Sequence, residues 1–140
     1  MTPDLTALAR ALVALPGWTW GAGMLACCQT PGHGRTIDDP VSAWTGIHRM
    51  RCREATPPMV EGWKALPGDH EVYPQTGGWW PDLLDASTGG ILLDRLGPDY
   101  GVERYGADSW CVFSAELDED AHGPSLASAC ARAMVARGRA

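Results

Sequence analysis

The chain has 140 residues, 45% of them apolar and 20% charged, which suits one folded domain and excludes a disordered or collagen-like sequence. Eleven basic side chains against seventeen acidic ones give a net charge of −6, so diffuse attraction of the whole molecule to nucleic acid or to an anionic membrane is disfavoured. The longest aliphatic stretch, Ala11 to Leu15, stops at Pro16-Gly17, far short of the roughly 20 apolar residues that span a bilayer.

The start of the chain also lacks the basic-then-apolar order of a secretory leader, so the expectation is a soluble, intracellular protein without membrane contact. Thr2, Pro3 and Asp4 read as an N-cap, a first-turn proline and an acid at the positive end of a helix dipole. Leu5, Leu8, Leu12 and Leu15 then share one helical face, predicting a helix from Pro3 to Leu15 that Pro16-Gly17 ends. Met24 to Cys28 reads as a short buried strand, and Thr30 to Pro40 as a loop.

From Trp44 to Arg53 the residues alternate. Trp44, Gly46, His48, Met50 and Cys52 fall on one side, and Thr45, Ile47, Arg49, Arg51 and Arg53 on the other, a strand with one basic face. Residues 54–78 form a long irregular connection, with a turn of helix around Val60 to Leu66 and a short strand near Glu71 to Tyr73. Trp79-Trp80-Pro81-Asp82 leads into a second helix from Asp85 to Leu96, where Gly89 and Gly90 mark a close backbone approach. A hairpin follows, Gly101 to Tyr105 and Ser109 to Ala115 around a Gly106-Ala107-Asp108 turn. Glu116 to Asp120 is an acidic loop, and a last helix runs from Pro124 to about Arg137. The expected fold is a single α+β domain over residues 1–140, a mainly antiparallel sheet of about four strands with three packed helices in the order αββαββα.

Several landmarks coincide: Leu15-Pro16-Gly17-Trp18-Thr19-Trp20, Trp80-Pro81-Asp82-Leu83, the Asp85-Ala86-Ser87-Thr88-Gly89 helix start, and Pro124-Ser125-Leu126-Ala127. The combination resembles a group of short, uncharacterised phage- and prophage-encoded proteins of the helix-sheet-helix, or ABA, sandwich type. The likeness covers the first two dozen residues and Trp79 onward, and Gln29 to Gly78 stands outside it. It implies a phage or prophage origin, an accessory role and a place in the cytoplasm of a bacterial host; it carries over no active site.

Four groups of residues invite a functional reading. Arg49, Arg51 and Arg53 on one strand face suit phosphates or an acidic protein surface, against the plainer reading of a solvated face. Trp79 and Trp80 are candidate interface anchors, although packing accounts for most of the seven tryptophans. Cys27, Cys28, His33, His48 and Cys52 are the nearest set to a zinc cluster, but without a Cys-x-x-Cys pair. The five cysteines, Cys111 and Cys130 included, are an odd count without an export signal and read as reduced thiols, mostly small core residues. Finally, Asp82, Asp85, Asp94, Asp99, Asp108, Glu116, Asp118, Glu119 and Asp120 crowd the second half, a charge pattern able to imitate nucleic acid.

Catalytic motifs find little support. Gly32-His33-Gly34-Arg35 lacks a phosphate loop's Gly-Lys-Ser/Thr ending, and no serine sits in a Gly-x-Ser-x-Gly elbow. The leading expectation is a non-enzymatic accessory protein that binds a host protein, including a component of bacterial immunity, and needs no cofactor. A small zinc-binding or thiol-dependent enzyme using Cys27 to Cys52 is one alternative, and nucleic-acid binding through Arg49, Arg51 and Arg53 another.

Overall fold

The structure, a computed structural model, describes residues 2–30, 46–53 and 79–140. These form α1 (Pro3–Val13), β1 (Leu25–Thr30), β2 (Gly46–Arg51), β3 (Trp79–Pro81), α2 (Ala86–Leu96), β4 (Gly101–Gly106), β5 (Ser109–Phe113), β6 (Ala121–Gly123) and α3 (Leu126–Arg137). The fold is α+β with three helices and antiparallel pairing throughout, and its six described strands divide into two three-stranded sheets, β2-β1-β3 and β4-β5-β6. The connection at 54–78, with its expected helical turn and strand, lies outside the described residues.

In α1 the Thr2 hydroxyl accepts the Leu5 N–H at 3.3 Å and Pro3 fills the first turn, so the N-terminal end is capped as its residues require. Leu5, Ala9 and Leu12 are buried along one face, each leucine contributing roughly 1.5–3 kcal/mol of apolar burial. The helix closes at Val13, and Leu15 belongs to the turn after it, which passes through Gly17 at φ +82°.

β1 is the central strand of the first sheet, with Cys27 opposite both Arg49 and Trp80. β3 is the strand the sequence conceals: three residues are too few to display alternation, and Pro81 is admissible because β3 lies at the sheet edge. Trp80 is 1% exposed. Beyond Arg51 the pairing continues for one residue, the Cys52 N–H donating to Met24 O and the Gly23 N–H to Cys52 O, both at 2.8 Å.

α2 starts at its N-cap Asp85 and ends before Gly97. Its two adjacent glycines differ in purpose: a Cβ on Gly89 would stand 3.0 Å from Ala127 N of α3, whereas one on Gly90 meets nothing within 4 Å. Gly89 is therefore where α2 and α3 lie backbone to backbone. α3 begins later than its proline suggests, because Ser125 and Ser128 form a reciprocal capping box, and it ends at Gly138 with φ +79°. Ala127, Ser128, Ala129, Cys130, Ala131, Ala133 and Met134 are all buried, since α1, α2, β5 and β6 surround this helix. The alanines, Ser128 and Cys130 on its buried faces are short enough to let four neighbours approach it.

Candidate functional site

The basic strand β2 is tied into the fold. Arg49 Nε donates to Asp82 Oδ2 at 3.0 Å, and Arg51 Nη1 donates to Asp85 Oδ2 at 2.7 Å and to Gly23 O at 3.0 Å. Asp85 also accepts the Thr88 N–H at 2.9 Å and the Thr88 hydroxyl at 2.8 Å, and Thr88 Oγ1 in turn accepts the Leu25 N–H at 3.0 Å. One carboxylate thus links β2, the first turn of α2 and the start of β1. Burial opposes ionisation of Asp85, but the Arg51 guanidinium and the two Thr88 donors outweigh it and hold the carboxyl below the usual range. Of the stripe, Arg53 alone is exposed without a partner among the described residues.

Of the Trp79-Trp80 pair, Trp80 is too deeply buried to serve as an anchor. Trp80 is buried beneath the Arg10 guanidinium, which lies 4.7 Å from its ring centroid, and Trp79 is half-buried against the core. Of the cysteine and histidine set, Cys27 and Cys52 are buried, and pairing Cys27 with Arg49 and Cys52 with Met24 places them at an odd offset, on opposite faces of the sheet. Cys28 and His48 are directly opposite in register, while their side chains and all of His33 lie outside the described residues. None of Cys27, Cys52, Cys111 and Cys130 is in a disulfide. Burial pushes the Cys52 thiol up and the Cys130 thiol to about 12, so neither is an activated nucleophile.

The second sheet supplies what the first lacks. Val102, Val112 and Ala121 are opposite one another and turn toward the core, and the alternate row Glu103, Cys111 and His122 lies on the outer face. Cys111 Sγ, an Asp120 carboxylate oxygen and a His122 ring nitrogen all lie within 4.8 Å of one another. Burial, then the Asp120 and Glu103 carboxylates, push the Cys111 thiol up. Glu103 is held by the Tyr105 hydroxyl, which donates to its Oε2 at 2.6 Å and whose own pKa this bond raises to about 12.

Beside this row stand two exposed aromatics, Tyr105 at 65% and Phe113 at 38% exposure. The Phe113 ring lies across Gly101, where a Cβ would meet it at 2.3 Å, so only glycine lets the ring lie flat there. An open depression of about 550 Å³ follows, lined by Pro98, Tyr100, Gly101, Phe113, Ala115 and Asp120 among others. Residues 99–120 carry seven acidic side chains and one basic, 1 − 7 = −6, which equals the charge of the whole chain. All seven acids are exposed.

Six of these seven acids stand out in the sequence as an acidic run, Glu103 on its strand does not, and their geometry is not legible there. Cys111 and His122 become neighbours only through β6, a three-residue strand with no visible alternation. The available signal was the Asp120-Ala121-His122 spacing, which sets two ligand-type side chains on one face of any extended segment. No protein-family model matches this chain, and neither the curated proteins nor the solved structures contain a match to it.

Proposed function

We propose that this chain is a non-enzymatic accessory protein of phage or prophage type that binds a positively charged surface of a host protein through the outer face of its second sheet. The charge placement carries this reading: the second-sheet hairpin, the residues leading into it and the loop after it, 99–120, hold a net charge equal to that of the whole chain, around two exposed aromatic side chains. Long-range attraction to the acids steers a basic partner, and Tyr105 and Phe113 supply the apolar contact that a charged rim lacks. The basic strand supports nucleic-acid binding less well, because Arg49 and Arg51 already hold Asp82 and Asp85. A component of bacterial immunity is the partner class to test first.

The experiment is affinity capture from a bacterial lysate at low and high salt, followed by reconstitution with the purified partner. The comparison protein is a triple variant, Tyr105→Ala with Asp108→Lys and Glu119→Lys, all at exposed positions. The expected result is one stoichiometric protein whose binding weakens with salt and disappears in the variant. A partner that binds both proteins equally, or no partner at all, refutes the proposal.

A further inference from the structure

We propose that Cys111, Asp120 and His122 form a binding site for a zinc ion on the outer face of the second sheet. This site does not depend on the binding reading above. The three ligand types come from a buried strand residue, the residue leading into the next strand, and the strand residue directly opposite. Directly opposed side chains have Cβ atoms roughly 4.5–5.5 Å apart, the span that one ion bridges.

A Zn–S bond of about 2.3 Å and a Zn–N bond of about 2.1 Å at a tetrahedral angle put the two ligand atoms about 3.6 Å apart. The present separations, within 4.8 Å, need only small side-chain rotations to close on such an ion. The backbone beneath is held firmly. Gly123 lies flush on α3, where a Cβ would come 2.8 Å from Ala129 N, and Arg132 of α3 donates to the His122 carbonyl.

The donor set selects the metal. Thiolate and imidazole suit zinc, whereas magnesium and calcium require oxygen ligands. On binding, the Cys111 thiol gives up its proton to solvent and a Zn–S bond forms; a thiolate, a carboxylate and a neutral imidazole then balance the dication. Glu103 faces Cys111 from β4 and is oriented by Tyr105, so a carboxylate with its own hydrogen-bond partner stands beside the set.

The test uses the full chain, freed of metal by dialysis against chelator and titrated with Co²⁺ and then Zn²⁺. The expected result is one equivalent of Co²⁺ with a thiolate-to-cobalt charge-transfer band, displaced by Zn²⁺. Cys111→Ser is expected to abolish the band. His122→Ala, at an exposed position that leaves the core untouched, is expected to weaken binding by more than the ~100-fold ceiling of an outer-shell loss. Absence of a charge-transfer band in the parent chain overturns the proposal. So does a band that survives both substitutions, or one that vanishes in Cys28→Ser while persisting in Cys111→Ser, which assigns the metal to the first sheet.

Discussion

Replacing Asp85 by alanine tests whether one carboxylate holds the first sheet to α2. The substitution removes the helix N-cap, typically worth ~1 kcal/mol. It also strands the hydroxyl proton of Thr88, a residue with 0% exposure, and a buried donor without an acceptor costs roughly 1–3 kcal/mol. The Arg51 pair adds little, about 0–1 kcal/mol, because the Arg51 side chain is 49% exposed. The expected loss is therefore roughly 2–5 kcal/mol for Asp85→Ala. Asp85→Asn keeps an oxygen acceptor for the Thr88 donors and should cost only about 1 kcal/mol. Urea denaturation followed by far-ultraviolet circular dichroism gives both values, and a double-mutant cycle with Arg51→Ala isolates the ion pair. An alanine variant within about 0.5 kcal/mol of the parent refutes the argument, as does an asparagine variant that costs as much as alanine.

The same site sets part of the acid response. The folded-state pKa of Asp85 lies below its unfolded value, so its contribution is complete above the unfolded carboxylate pKa and is lost as pH falls through the folded one; the slope of stability against pH should flatten there in Asp85→Asn. Glu116, held low by the Tyr100 hydroxyl and helped by Arg139, acts in the same direction, which an NMR titration of its carboxyl against that of Glu116 in Tyr100→Phe would register. In α2 the two glycines should respond oppositely: Gly90→Ala should stabilise by about 0.5–1 kcal/mol, whereas Gly89→Ala should destabilise because its Cβ meets the α3 backbone, both read from thermal melts. Peptide mapping after brief alkylation near neutral pH should leave Cys52 and Cys130 unlabelled in the native protein and modified in denaturant; rapid native labelling of Cys130 would contradict its burial and raised pKa.

The parts of this fold that were legible in the sequence are those governed by local rules. Thr2-Pro3 and Asp85 mark helix starts because capping is chemistry between residues three or four apart. The β4–β5 hairpin was legible for the same reason, its turn and alternation being contiguous. β3 and β6 were not, since each has three residues and owes its extended form to a partner strand far along the chain. The division into two sheets follows from those two strands and was hidden with them. On the surface, Arg49 and Arg51 gave the clearest pattern, yet their partners Asp82 and Asp85 lie some thirty residues away. Periodicity shows which residues share a face, but not what already occupies it.

The small-residue helix α3 also imposes an order of events on the growing chain. α1, α2, β5 and β6 all rest on a segment, residues 126–137, that leaves the ribosome after every one of them. Until then Leu5, Ala9, Leu12 and Leu92 have no complete surface to cover them. Translation therefore exposes the apolar faces of α1 and α2 before the helix that packs on them exists, an interval in which a chaperone has more to hold than it has on the folded structure.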